Sequence, residues 1–275
     1  MTRIALFQST TGIDPASNAE LLVEAIGAAA AGGATMLFTP EMSGLLDRDS
    51  KRAAAAIRAE GDDRVLAACS AAARVHNIWV HLGSLAVRAD GGKIANRAFV
   101  IDDHGKIRAR YDKIHLFDVD LPTGESWRES AVYAAGEGAV AVAGTPVGKL
   151  GLTICYDLRF PAIFERLAES GAVLIAVPAA FTVPTGEAHW HVLLRARAIE
   201  AGLFVVAAAQ VGTHEDGRAT FGHSLVVDPW GEVLLDMGTA PGIGFADIDL
   251  DQIAEVRGRV PALTHRRPVA AATIV

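Results

Sequence analysis

This chain lacks a membrane-length apolar stretch, a block of like charge and a set of pairable cysteines. Apolar runs such as residues 172–177 and 203–209 fall well short of the ~20 residues a membrane helix needs. The opening Met1-Thr2-Arg3-Ile4-Ala5-Leu6-Phe7-Gln8 has too short an apolar run for a signal peptide. Only Cys69 and Cys155 carry thiols, too few for a disulfide framework and in keeping with a reducing compartment. These absences predict a soluble, cytoplasmic protein that does not engage a membrane. There is no run of five or more like charges, and the net charge is −7, so no general affinity for nucleic acid is expected. Internal repeats and low-complexity segments are absent too.

Cofactor signatures are equally missing. Gly242-Ile243-Gly244 has no third glycine and no following helix, and no Gly-rich phosphate loop occurs. His189-Trp190-His191 hints at a metal, but positions two apart on a helix face different ways. No Asp or Glu joins them at zincin spacing. Neither a cofactor nor a metal is expected.

What the chain does have is apolar residues, 51% of 275, enough for a large two-sided core. No composition shift marks a boundary, so one domain spanning 1–275 is expected, with 260–275 as a Pro-rich tail. The pattern starts with a strand over 4–8. Asp14-Pro15 caps a helix whose apolar stripe is Leu21, Leu22, Ala25, Ile26 and Ala29, stopped by Gly32-Gly33. A strand over 35–39 follows. Alanine-rich patterns over 48–59 and 64–76 predict two helices on one flank of a sheet. Residues 78–87, 94–101 and 107–111 predict a meander with turns at Asp90-Gly91-Gly92 and 102–105. Residues 117–138 predict a long loop, a feature that is commonly functional. Beyond it, strands are predicted over 140–147, 149–155, 173–177, 203–209, 224–228, 233–236 and 244–248. Helices are predicted over 160–170, 189–201 and 250–259, and the tail is expected to remain irregular. Because strands alternate with helices but also follow one another directly, layered sheets with helices outside fit better than a doubly wound sheet.

Three segments carry the chemistry. In Lys149-Leu150-Gly151-Leu152-Thr153-Ile154-Cys155-Tyr156-Asp157-Leu158-Arg159-Phe160-Pro161 a buried strand ends at a thiol, before a helix that starts on proline. Leu37-Phe38-Thr39-Pro40-Glu41 brings a carboxylate to a strand end, and Tyr111-Asp112-Lys113-Ile114-His115-Leu116 brings an ammonium. Taken singly, Cys155 reads as a small buried hydrophobe and Glu41 as an exposed carboxylate. Cys69, within a helical pattern, reads as a packing residue.

Glu, Lys and Cys in this order and context resemble the catalytic set of the nitrilase superfamily of carbon–nitrogen hydrolases, and the resemblance covers nearly the whole chain. It implies an α/β fold of the four-layer α-β-β-α sandwich type. It also implies an amidase that cleaves a non-peptide C–N bond through a Cys155 thioester. Cys155 is then the nucleophile and Glu41 the general base, its pKa expected to be raised by burial beside a second carboxylate. Lys113 and the Tyr156 amide would stabilise the oxyanion. Glu129, in the Glu129-Ser130 context, matches the family's second glutamate, whereas Glu125 and Glu137 read as solvated or structural. Tyr156, Arg159, Phe181 and His115 are the expected substrate-binding residues. Arg159, Arg195 and Arg197 also have a structural reading, as salt-bridge partners. The family usually has a glutamate after His-Trp, where this chain has His191.

Tyr156-Asp157-Leu158-Arg159-Phe160, Val192 through Glu200, Gly222-His223-Ser224 and His265-Arg266-Arg267-Pro268 look most like the branch acting on deaminated glutathione. His115-Leu116-Phe117-Asp118-Val119-Asp120 is shared with ω-amidases, which act on α-ketoglutaramate or α-ketosuccinamate; N-carbamoyl amidohydrolases are a further alternative. The expected partners are a small carboxylate-bearing amide and a second copy of the chain, in a dimer or dimer-based assembly to which the tail contributes. A thiol-based redox-sensing or binding module is the non-enzymatic alternative.

Overall fold

The computed structural model describes residues 1–274 apart from 90–91, 121–123 and 125. The chain runs through β1 (Thr2–Gln8), α1 (Pro15–Ala31), β2 (Met36–Phe38), α2 (Ser50–Ala56), β3 (Arg58–Ala59) and α3 (Arg64–His76). It continues with β4 (Trp79–Arg88), β5 (Ile94–Ile101), β6 (Ile107–Asp112), β7 (Asp118–Asp120), β8 (Ser126–Arg128) and β9 (Tyr133–Ala134). Next come β10 (Val140–Thr145), β11 (Gly148–Leu152), α4 (Pro161–Glu169), β12 (Leu174–Ala176), α5 (Val183–Ala201) and β13 (Phe204–Ala207). The final elements are β14 (Val211–Thr213), β15 (Ala219–Phe221), β16 (Leu225–Val227), β17 (Val233–Asp236), β18 (Gly242–Ile248), α6 (Asp251–Arg259) and α7 (Ala262–His265).

Two sheets dominate. One has the order β18-β1-β2-β4-β5-β6, with β3 beside β4 and β9 beside β5; the other runs β10-β11-β12-β13-β16-β17. Strand alternation sends Leu6 and Phe38 from the first sheet toward Leu152, Ala176 and Val206 of the second. Their neighbours Ala5 and Leu37 face the other way, onto Leu22 and Ile26 of α1 and Leu66 and Cys69 of α3. Helices α4 and α5 cover the second sheet through Phe164, Leu167, Leu194 and Ala198. The expected α-β-β-α layering is therefore present. Cys69 packs as expected, and burial pushes its thiol up to about 12.

Local chemistry explains most boundaries. Asp14 accepts the Ala16 and Ser17 amides to start α1, Asn77 closes α3 in a left-handed conformation, and Pro161 opens α4. Several expectations need correction. Leu21 is exposed, because the buried stripe of α1 runs through Leu22, Ala25, Ile26 and Ala29. The helix predicted over 48–59 stops at Ala56, since Arg58–Ala59 pair with β4; it fully buries no side chain and packs Ala53 and Ala56 on the small cluster of Leu45, Ile57 and Ala86. Residues 117–138 contain the β7–β8 hairpin and a 3-10 turn at Glu129–Ala131. Helix α5 starts six residues earlier than its pattern suggested, because Pro184 in its first turn reads as a loop signal in sequence. The tail forms the short helix α7, and the β14–β15 hairpin was not foreseen. The turn expected at Asp90-Gly91-Gly92 lies partly outside the described residues, as does Glu125.

Gly83 lies against the chain just before Glu41 and just after β12. It sits in a bulge of β4, and a Cβ there would run into the carbonyl oxygens of Thr39 and Pro40 and into Pro178. Nearby in the same strand His81 is fully buried, with no hydrogen-bond partner for either ring nitrogen among the described residues. Burial lowers its pKa from 6.5 to about 3. The unfolded chain therefore takes up a proton below pH 6.5 that the folded chain refuses until about pH 3. Stability is lost across that window as pH falls, by about 1.4 kcal/mol per unit. Urea unfolding of wild type and His81→Leu between pH 8 and 4 is expected to show a shallower acid loss in the variant. Parallel profiles would contradict this account.

Candidate active site

Glu41 lies three residues past β2, Lys113 directly after β6 and Cys155 three residues past β11. The structure brings all three together with Glu129. Lys113 Nζ donates to Glu41 Oε1 at 3.0 Å and to Glu129 Oε2 at 2.8 Å, with only 2% of its side chain exposed. Asn96 Nδ2 bridges the two carboxylates, 2.9 Å from Glu41 and 3.2 Å from Glu129. The Ala180 N–H donates to Glu41 Oε2 at 2.9 Å, and the Phe117 N–H to Glu129 Oε2 at 2.7 Å. The Cys155 thiol lies near enough to the Glu41 carboxylate and the Lys113 ammonium for both charges to act on it. Asn96, Ala180 and Phe117 escaped the sequence reading. Asn96 alone left a trace there, as a lone amide within the apolar strand β5.

The charges set one another's protonation. Burial pushes Glu41 upward, but the Lys113 ammonium, the hydrogen bonds from Lys113 and Asn96 and the neighbouring Cys155 thiol outweigh it and hold the carboxyl below its usual 4.5. The expectation of a raised Glu41 pKa is thus corrected: the ammonium between the two carboxylates cancels their mutual repulsion. Burial works against the Lys113 charge, yet Glu129 and Glu41 keep its pKa well above 10.5. Burial and the Glu41 charge drive Cys155 well above 9.0. The resting site is carboxylate, ammonium and neutral thiol.

Cys155 adopts a left-handed backbone, φ 47°, in which its N–H donates to Pro178 O at 2.9 Å and the chain turns into a 3-10 helix over Cys155–Arg159. Such a conformation strains any residue with a Cβ and persists only where neighbours enforce it. The enforcer is Asp157, fully buried. It accepts from Tyr111 Oη at 2.6 Å, from the Ile154 N–H at 2.9 Å and from the His115 N–H at 3.1 Å, and it pairs with His115 Nδ1 at 2.7 Å. The Tyr156 N–H, in the first turn of that 3-10 helix, has no acceptor among the described residues.

Above the thiol opens a cavity of about 460 Å³. Tyr156, Arg159 and Phe181 line it, together with Arg48, Trp127 and Arg218. His115 does not: its ring is stacked on Phe160 at 3.6 Å and tied to Asp157, so it supports the Cys155 turn from outside the cavity. The three arginines singled out in sequence divide. Arg195 is spent on the Gly231 carbonyl, and Arg197 on the Leu158 carbonyl and Glu200. Arg159 lies over Tyr156 and Phe181 and, among the described residues, bonds only His189 Nδ1, at 3.3 Å. Arg48 and Arg218 flank Trp127, at 5.7 and 5.1 Å from its ring. Arg218 is paired with Asp216, whereas the Arg48 guanidinium has no carboxylate partner among the described residues. Glu137 is exposed, as expected.

The family model for the carbon-nitrogen hydrolases matches residues 3–258. The chain belongs to that family. Its relatives include the deaminated glutathione amidase of Bos taurus, 39% identical over 269 residues, a match covering 96% of this chain and 82% of the bovine one. Among solved structures, the C. elegans NitFhit protein superposes with a TM-score of 0.89 at 38% identity, covering 97% of this chain; this chain spans 65% of that longer protein. A mutant of the amidase from Nesterenkonia sp. AN1, showing the result of Michael addition of acrylamide at the active site cysteine, superposes with a TM-score of 0.77 at 29% identity. That match covers 95% of this chain and 98% of the amidase.

In this carbon–nitrogen hydrolase the Asp157 hub predicts a defined loss. Tyr111→Phe removes one donor from a buried carboxylate and is expected to cost about 1.5–3 kcal/mol in urea unfolding. It is also expected to lower turnover, because the Cys155 turn loosens. An unchanged unfolding midpoint would contradict the assignment.

Proposed function

We propose that this chain is an amidase that opens a small carboxylate-bearing amide through a Cys155 thioester, with deaminated glutathione as its substrate. The observation that carries the reading is the Glu41 carboxylate, bonded to the Lys113 ammonium and lining the same cavity as the neutral Cys155 thiol. Cys155 Sγ attacks the amide carbon while Glu41 takes the thiol proton. Lys113 Nζ and the Tyr156 N–H face the oxyanion. Collapse breaks the C–N bond, and Glu41 passes its proton to the departing amine. Glu41 then deprotonates water, which attacks the thioester, and the thiol leaves with that proton. An α-keto dicarboxylic acid and a dipeptide amine result. Glu129 holds Lys113 in place throughout.

Two features favour the larger substrate over α-ketoglutaramate, α-ketosuccinamate or an N-carbamoyl compound. The cavity reaches from Cys155 to Trp127, and Arg159 and Arg48 are guanidinium groups without carboxylate partners among the described residues, one for each carboxylate of deaminated glutathione. A redox-sensing role is disfavoured, since sensor thiols are exposed and of low pKa whereas Cys155 is buried and shifted up. The chain is read further as one domain over 1–275 and as a cytoplasmic homodimer. Supporting that reading, no helix among the described residues is long and apolar enough to cross a membrane. Trp230, Ile199 and Val260 also leave an apolar surface exposed beside the tail.

The test is a panel of amides assayed for amine release, comparing deaminated glutathione with α-ketoglutaramate. A higher kcat/KM for the former is expected, and no measurable cleavage of it would retire the substrate assignment. Cys155→Ala is expected to abolish turnover. Glu41→Gln and Lys113→Met should each lower kcat by at least about 10²–10³-fold, as losing a proton carrier or an oxyanion donor typically does.

The pH profile is a separate check. Glu41 stays ionised down to below its ordinary 4.5, and Cys155 and Lys113 keep their protons to above 9.0 and 10.5. A flat kcat/KM between about pH 5 and 9 is expected. An inflection near neutrality would show that another group governs the reaction.

A further inference from the structure

Outside the cavity, three side chains from three elements converge with no Lys or Arg among them. His191 comes from α5, His223 from the turn before β16 and Asp236 from the end of β17. His191 Nε2 lies 2.9 Å from Asp236 Oδ2, and His223 Nδ1 lies 2.9 Å from Asp236 Oδ1; one ligand atom from each residue falls within 4.8 Å of the other two. We propose that His191, His223 and Asp236 form a binding site for one divalent transition-metal ion of the zinc class.

The donor set is the first reason. Two imidazoles and a carboxylate suit Zn²⁺, Co²⁺ or Ni²⁺ and not the oxygen-seeking Ca²⁺ or Mg²⁺. Tetrahedral Zn²⁺ at 2.0–2.1 Å from each donor needs donor atoms about 3.3 Å apart; Asp236 Oδ2 lies 2.9 Å from His191 Nε2 and 3.1 Å from His223 Nδ1, and modest ring rotations bring the set to that spacing. The second reason is charge. Asp236 has no ion-pair partner other than these two histidines among the described residues, so a cation supplies the counter-charge that is missing. The third is orientation. Asp236 Oδ1 is fixed by the Gly238 N–H at 2.9 Å, the His223 ring stacks on Phe221 at 4.5 Å, and His191 meets the same ring edge-on at 6.2 Å. Outer contacts of this kind hold metal ligands in place.

On binding, each neutral imidazole carries its proton on the ring nitrogen away from the metal. His191 Nδ1 and His223 Nε2 have no protein acceptor among the described residues, which leaves that N–H free to meet solvent. The ion would tie α5 to β16 and β17. It would also reach the cavity wall, because the His223 carbonyl accepts from Trp190 Nε1 at 2.8 Å and Trp190 packs on Phe181 at 4.7 Å. Sequence spacing hides this site: His189 and His191 do diverge, as their separation predicted, and His191 finds its partners 32 and 45 residues further on.

Calorimetric titration of the full chain with Zn²⁺, repeated on Cys155→Ala to remove the cavity thiol, tests the proposal. One saturable equivalent is expected in both proteins, with a rise in Tm of roughly 5–10 °C at 100-fold excess over Kd. His191→Gln and Asp236→Asn, each checked for a metal-free thermal transition near that of the parent, should weaken binding by more than about 100-fold and abolish the Tm rise. With Co²⁺, the parent should show tetrahedral visible absorption that neither variant shows. Two variants are used so that a folding defect in one leaves the other to decide. No bound equivalent in Cys155→Ala would overturn the proposal, and so would undiminished binding in either ligand variant.

Discussion

The interaction on which the rest depends is the buried ammonium of Lys113 between the carboxylates of Glu41 and Glu129. Each ion withdrawn from water costs several kcal/mol, and the arrangement is tolerable only when the charges meet one another and their remaining lone pairs find donors. Here Asn96, Ala180 and Phe117 supply those donors. The three charged groups come from separate parts of the chain, so the cluster exists only once the meander β4–β6, the end of β2 and the 3-10 turn after β8 are all in place. Chemistry and folding are coupled there: the charge that lowers the Glu41 pKa also fastens these segments together.

The thiol is delivered by a different device. Cys155 sits at a left-handed position after the second sheet's β11, where the fully buried Asp157 gathers donors from Tyr111 of the first sheet, from His115 and from the turn itself. Asp157 therefore links the two sheets across the site. Gly83 lets the backbones after β2 and β12 approach to a distance that no side chain would permit. Carboxylate and sulfur meet because these two contacts fix the spacing between the layers.

How much of this could be read from the sequence depended on how local the signal was. Asp14-Pro15, Gly32-Gly33 and Pro161 act on their own neighbours, and they mark helix boundaries where the structure has them. Pro184 misled because proline signals a loop and a first helical turn equally well. Short strands such as β14 and β15 carry too few residues to show a period. In the site, Glu41, Lys113 and Cys155 stood out through their strand-end context, whereas Asn96 and Asp157 matter through partners more than thirty residues distant. His115 was misplaced for the same reason: its neighbour Lys113 points into the site while its own ring turns to Phe160. No sequence pattern encodes that choice.

Helix α2 holds a consequence for how the cavity can change. Two of its residues, Ser50 and Ala53, lie along the cavity, yet the helix fully buries no side chain and meets the scaffold through Ala53 and Ala56 on the small cluster of Leu45, Ile57 and Ala86 and through Arg88 on the Ala54 carbonyl. Its neighbours in the same wall, such as Phe181, are rooted in the interior. One side of the entrance thus rests on the scaffold through a few small contacts. Mutations there can reshape which molecules enter while the folded state hardly registers them, so this rim is where new selectivity can arise at little thermodynamic risk.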